Sequence, residues 1–526
     1  MSVSSRFGMR KYIFFAAALF CAELLVAVGL DIPGIATIDG IGVLESVANK
    51  EASRVSVDVD VALDLSEAEV ISFDFRSSDI TKFASATLYL KSGKGWYSTD
   101  AIELGATSVW QRVNVKMCDI KKTEGAPVGL DQVDRIRLSC WRMGTDKDSL
   151  KIEVAKFAIH SKSSSKKKGN SSVQKDKLKR TVLAEFKRTA KPRKGERFAV
   201  WCHNPYKFSE KWDETLETLA AAGCTDFLPN LCWGGHAFYD SKILPVHYDV
   251  AKHGDAFEHL RKACSKYGVK LHVWRVCGKL SKSKTPKEYL RKLDAENRLA
   301  VQYDGTKIDG WVCLSHPANI ELEIAAMEEL AAKGATGVHF DYIRYFGEDT
   351  CFCDGCRERF EKFANVAVAD WPKEIRKNKR LKAKWDEFRC ANITKIVRET
   401  RKRVKRKNPK CEISAAVFKN FPKSLSEIGQ DPETWCKEGL LDFLCPMNYS
   451  RSSLFYENAI RVQKKLVHNV PMLPGIGLSC WPDDGKDIER VTEQIKAARR
   501  LGVAGWTIFD LNERGYSVIK LLVSPH

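Results

Sequence analysis

The chain has 526 residues, 44% of them hydrophobic, with 86 Lys+Arg against 67 Asp+Glu and a formal charge of +19. That much apolar side chain supports a sizeable core and excludes a wholly disordered protein, while the length allows two or three domains. One apolar stretch of near membrane-spanning length, at the N-terminus, excludes a polytopic membrane protein.

Arg6, Arg10 and Lys11 precede an apolar run from Tyr12 to Leu30 that only Glu23 interrupts, and Ala27 and Gly29 sit at the small-residue spacing a signal peptidase reads. This predicts a secretory signal peptide over residues 1–29 and a secreted or cell-envelope location, either periplasm or outer surface. The alternative is an uncleaved anchor holding the protein to a membrane through its N-terminus. Glu23 in mid-bilayer would be costly, which favours cleavage.

Residues 30–160 predict a β-sandwich. Arg54–Leu63, Ala68–Phe75, Ala86–Lys91, Trp110–Met117, Val133–Cys140 and Leu150–Ile159 read as short strands separated by turn residues, with no long helix between them. The rhythm is like that of jelly-roll carbohydrate-binding modules. Trp96, Tyr97, Trp110 and Trp141 are candidate sugar platforms, although a core role is the simpler reading of any one of them. Residues 161–196 begin with a Ser/Lys-rich run and predict a basic linker; residues 161–200 carry 14 basic and 3 acidic side chains. A second basic segment, 357–410, has 20 basic and 7 acidic residues and reads as a solvated helix face. No nucleic-acid-binding motif accompanies the charge, so no nucleic-acid partner is expected.

From 197 to 526 strands and helices alternate. Phe198–Cys202, Asp226–Leu231, Lys270–Val276, Gly337–Tyr342, Glu412–Phe418, Phe443–Asn448, Met472–Leu478 and Gly505–Asp510 read as eight strands, with amphipathic helices such as Ala256–Tyr267 and Asp487–Leu501 between them. Eight β/α units predict a TIM (β/α)8 barrel, whose chemistry sits at the C-terminal ends of the strands.

That rule selects Asp341, at the end of "GVHFDYIRYF". The second carboxylate is open: strands five and six end without one, and Asp510 is preferred over Glu348, with an N-cap of the last helix as the competing role for Asp510. Other strand ends offer substrate-binding groups: His203, Asn230, Trp233, Trp274, Arg275, His339, Arg344, Asn448, Tyr449 and Trp481. Flat aromatics ringed by hydrogen-bonding groups suit sugar subsites.

"GVHFDYIRYF", "CFCDGCRERF", "ISAAVFKNFP", "IGQDPETWCKEGLLDFLCPMNYS" and "GWTIFDL", in this order, resemble the glycoside-hydrolase-like family 10 proteins of bacterial envelopes. Phe346 stands where that pattern has proline after "DYIRY". The resemblance implies hydrolysis of glycosidic bonds in an extracellular or cell-wall polysaccharide or glycan strand. Such chemistry uses paired carboxylates, one a proton donor of raised pKa and the other a nucleophile or base. Asp341 is expected as the nucleophile or base. The rivals are a non-catalytic carbohydrate-binding scaffold and a transglycosidase with the same site.

Cys351, Cys353 and Cys356 form C-x-C-x2-C just after strand four. With a fourth ligand from elsewhere they would hold a structural zinc; a disulfide with a spare thiol is the competing reading. Either would brace the loop, and no cofactor is expected to be required for catalysis.

Overall fold

The structure, a computed structural model, describes residues 28–32, 35–38, 44–48 and 53–524, apart from breaks at 100–101, 103, 106–107, 144–148, 162–171, 208–210, 282 and 482. The expected signal peptide lies outside the described residues except for 28 and 29. No helix among the described residues is long and apolar enough to cross a membrane.

Two antiparallel sheets precede residue 162. One orders Val28–Ile32, Ile35–Ile38, Leu150–Ser161, Ala68–Ser77 and Gln111–Lys116, with Leu44–Ala48 also on Leu150–Ser161. The other orders Arg54–Leu63, Val133–Arg142, Phe83–Ser92, Lys94–Thr99 and Lys121–Ala126. The period-2 alternation decides which side chains go in. Val55, Val57 and Val59 of Arg54–Leu63 join an apolar core that also takes Phe73, Leu88, Leu138 and Val154. The intervening Asp58 and Asp60 face out and pair across the ladder with Arg137 and Arg135.

The second unit is a nearly closed barrel. Its eight strands are Arg197–Cys202, Asp226–Trp233, Lys270–Val276, Gly337–Asp341, Glu412–Phe418, Phe443–Met447, Gly475–Ile476 and Gly505–Ile508. They pair in parallel in chain order, the eighth lying beside the first and the seventh beside the eighth. A single parallel bridge, Leu444 to Met472, joins the sixth strand to the segment leading into the seventh. Alternate side chains fill the interior, among them Trp201, Leu228, Trp274, Phe443 and Leu473, while their neighbours pack outward on the helices.

The N-terminal end of the barrel is sealed by charge. The Arg197 guanidinium spans Asp226 and Glu412, and His272 lies 2.9 Å from Asp226. Gly337 makes room for this ring, since a Cβ there would come within 1.9 Å of the His272 imidazole. Burial works to raise the Asp226 pKa, but the hydrogen bonds and charges of His272 and Arg197 prevail and hold it well below the usual carboxylate value.

The stretch 161–196, expected as a linker, carries a helix from Ser172 to Ala190. Leu183, Phe186 and Ala190 form a short apolar stripe packed on the barrel's core. Glu185 pairs with Lys496, and Arg499 donates to the Thr189 carbonyl and to Glu196 at 2.8 Å. The dense lysines dilute that stripe in the sequence. Helix Ser453–Lys464, after the sixth strand, forms the seam between the two units. Phe455 enters the apolar core of the two antiparallel sheets, Asn458 donates to the carbonyls of Ile80 and Phe83 at 3.0 and 3.1 Å, and Arg451 nearby pairs with Asp119 at 3.1 Å.

Candidate active site

Asp341 ends the fourth strand and is 6% exposed. Its Oδ1 accepts the Tyr342 backbone N–H at 2.7 Å and its Oδ2 accepts the Trp274 indole N–H at 3.1 Å. Tyr342, immediately after it, has φ of 52°, a left-handed conformation that costs a tyrosine about 1–2 kcal/mol. Burial pushes the Asp341 pKa up to about 6, against the opposing pull of the Tyr342 N–H, the Arg344 charge, the Trp274 N–H and Lys279. A carboxyl of this kind keeps its proton into the mildly acidic range.

His339, two residues earlier, also faces the interior. Its Nε2 accepts the Trp201 indole N–H at 3.0 Å, which leaves Nδ1 to carry the proton and donate to Ser414 Oγ at 2.8 Å. Burial, with the nearby His272, holds its pKa well below the ordinary value, so the imidazole is neutral. It is a strut inside the barrel, with both nitrogens satisfied by protein, and not the substrate-binding group expected of it.

Asp510 follows the eighth strand. The last helix, Glu513–Lys520, is capped by Asn512, whose side chain accepts the Gly515 N–H, so Asp510 is not its N-cap. Asp510 is 8% exposed and its carboxylate accepts the Ser479 hydroxyl. Tyr449 is close enough to feel the charge of both acids. Its ring stacks on Phe509 at 5.1 Å and meets Trp201 edge-on at 6.3 Å. Burial first, then the charges of Asp341 and, more weakly, Asp510, raises the Tyr449 pKa well above normal, so the phenol stays protonated. Gly477 permits this placement: a Cβ there would lie 2.7 Å from the Tyr449 Cβ.

His203 stands at the rim, exposed, with its ring 5.6 Å from Trp274 and 6.1 Å from Trp233. Desolvation on the packed side lowers its pKa, opposed by the Asp510 charge. Asn230 is fully buried, in register with Trp274, and neither its amide oxygen nor its nitrogen has a hydrogen-bond partner. Trp481 and Tyr449 line a cavity of about 780 Å³ between the barrel and the N-terminal sheet, whose far wall includes Ser85, Thr87, Ser98 and Lys121. Asp341 itself does not line that cavity.

Four other expected site residues are placed elsewhere. Arg275 is fully buried on the outer face of its strand, with Nε 2.6 Å from Glu323 of helix Pro317–Ala332 and NH1 donating to the Trp233 carbonyl. It ties barrel to helix and does not meet the mouth. Asn448 exchanges two hydrogen bonds with Gln463, at 2.8 and 2.7 Å, which uses its amide within the protein. Glu348 is exposed and pairs with Lys382 at 3.3 Å, on the long helix Lys379–Lys407. Arg344 packs its guanidinium over Trp311, Tyr342 and Phe418 and donates to the carbonyls of Tyr345 and Phe346, though its charge still reaches Asp341. In the N-terminal unit Trp96, Trp110 and Trp141 each have an arginine over the ring, namely Arg137, Arg76 and Arg54.

The structure brings Cys351, Cys353 and Cys356 together and adds Cys313, which the sequence reading missed. It also missed Ser479, which holds Asp510. No short motif flags either residue. Their proximity comes only from the barrel's closure.

No family model matches the sequence, and no curated protein matches it. Among solved structures the chain is similar to a β-galactosidase from Bacillus circulans sp. alkalophilus, at 14% identity and TM-score 0.45 over 61% of this chain and 51% of that one. It is similar to the catalytic domain of β-amylase from Paenibacillus polymyxa, at 10% identity and TM-score 0.46 over 62% of this chain and 97% of that one. It is also similar to the agarase AgWH50C, at 9% identity and TM-score 0.42 over 95% and 92% of the two chains. The chain spans about half the length of the β-galactosidase.

Proposed function

We propose that the protein is an exported glycoside hydrolase acting on an extracellular or cell-envelope polysaccharide, with Asp341 as proton donor and Asp510 as the partner carboxylate. The observation that carries the reading is the carboxyl at the end of the fourth barrel strand, its pKa pushed up to about 6 by burial. A buried carboxyl without a counter-ion destabilises the fold, and such groups concentrate where a proton must be transferred. Tyr449, Trp274 and Trp233 supply the flat, hydrogen-bonding surroundings a pyranose ring needs. The N-terminal unit is read as a jelly-roll-like carbohydrate-binding module, and the cavity it shares with Tyr449 and Trp481 as the path by which a glycan reaches the mouth.

A screen of the purified protein against defined polysaccharides and peptidoglycan, reading new reducing ends, tests the proposal. Release from at least one polymer is expected. Binding to polymers without release would favour a second reading, a carbohydrate-binding scaffold. The low exposure of Asp341 and its absence from the cavity lining favour that alternative. New, longer products in place of reducing ends would indicate a transglycosidase using the same groups.

A further inference from the structure

We propose that Cys313, Cys351, Cys353 and Cys356 form a tetrathiolate zinc site that clamps the loop after the fourth barrel strand to the segment entering helix Pro317–Ala332. The four Sγ atoms all lie within 4.8 Å of one another. Cys313 Sγ is 3.5 Å from Cys356 Sγ and 3.8 Å from Cys353 Sγ. A regular tetrahedron with Zn–S arms of about 2.3 Å has edges of about 3.8 Å, which these two separations approach. A disulfide would need about 2.05 Å, and all described cysteines are free.

The surroundings suit a doubly negative metal–thiolate centre. The Val301 backbone N–H points at Cys351 Sγ at 3.3 Å, and the Ser315 hydroxyl lies 3.1 Å from Cys356 Sγ. The Arg359 guanidinium reaches Cys313 Sγ at 3.8 Å and donates to Ser315 at 3.1 Å. Donors to the sulfurs and a neighbouring cation are what a second shell supplies to such a site. Three ligands come from one turn, C-x-C-x2-C, in which the Cys356 N–H bonds the Cys353 carbonyl at 2.9 Å. The fourth comes from a separate segment fixed by Asn319, whose amide donates to the Cys313 carbonyl at 2.9 Å. Four soft ligands without carboxylate or imidazole select zinc over magnesium or calcium, and a closed shell makes the site structural.

The test is metal analysis of the full chain purified without added metal or chelator. The expected result is about one equivalent of zinc per chain, with at least roughly tenfold less in Cys313→Ser and an unchanged content in Cys390→Ser. If Cys313→Ser does not fold, cobalt exchange into the wild-type protein still decides: sulfur-to-cobalt charge transfer with tetrahedral d–d bands supports the site. Zinc-free protein with a disulfide among these cysteines, a full equivalent of iron, or a cobalt spectrum without thiolate bands overturns it. None of these readings depends on turnover, so the site and the glycosidase proposal stand or fall separately.

Discussion

The Trp274 indole N–H donates to Asp341 Oδ2 at 3.1 Å, linking the ends of the third and fourth barrel strands through one hydrogen bond. That bond orients the carboxyl, while burial raises its pKa to about 6. Because the folded pKa is raised above the unfolded value, ionising Asp341 costs stability as the pH rises from about 4 to about 6 and beyond. Asp341→Asn is therefore expected to be more stable than the wild type at pH 7, by about 2–3 kcal/mol at 1.36 kcal/mol per pKa unit, with the difference vanishing near pH 4. Denaturant unfolding at the two pH values checks this. A variant less stable than wild type at pH 7 would mean the carboxylate is held ionised by partners.

The same protonation sets a pH dependence for turnover. If Asp341 gives up the proton, the rate on a good substrate is flat in mildly acid solution and falls above about pH 6. A pH–rate profile rising through that region would instead make it the base.

Tyr449 keeps its proton and feels the charge of both acids. Tyr449→Phe is expected to lower kcat by about 10²–10³-fold if its hydroxyl donates in the transition state, while leaving the melting temperature near that of wild type. Gly477→Ala, which drives a methyl into the Tyr449 side chain, should lower turnover with an intact Tyr449. Steady-state kinetics on the two variants separates the hydroxyl from its placement.

At the opposite end of the barrel the expectation reverses. Asp226 is held ionised by His272 and Arg197, so its contribution is present at neutral pH and is lost as the solution is acidified through and below about pH 4. Asp226→Asn leaves the half-buried Arg197 and the buried His272 short of a partner and should cost about 3–5 kcal/mol at pH 7 without changing KM. Arg275→Met should likewise destabilise, by leaving Glu323 buried and unpaired, and should leave KM unchanged. A raised KM with unchanged stability would return Arg275 to the substrate.

Much of the barrel was legible because its strands are continuous apolar runs, such as Phe443–Met447, that end at polar residues. Which parity faces inward was not legible. Trp274 and Arg275 are adjacent, and only the closed sheet shows that Trp274 points to the axis and Arg275 to helix Pro317–Ala332. A bulge between Asn230 and Cys232 further shifts the register at the mouth. Asn448 read as a binding group until Gln463, on the next helix, took both ends of its amide. Cys313 and Ser479 belong to their clusters through three-dimensional closure alone, and the helix Ser172–Ala190 hid its short apolar stripe among lysines.

The central claim rests on Asp341, and the measurement that tests it most directly is turnover by Asp341→Asn on whichever polysaccharide the wild-type protein cleaves, with folding verified by circular dichroism. The account predicts a loss of about 10²–10⁴-fold in the rate of reducing-end release, the range a positioned proton donor supplies. Release at the wild-type rate by the folded variant would contradict it.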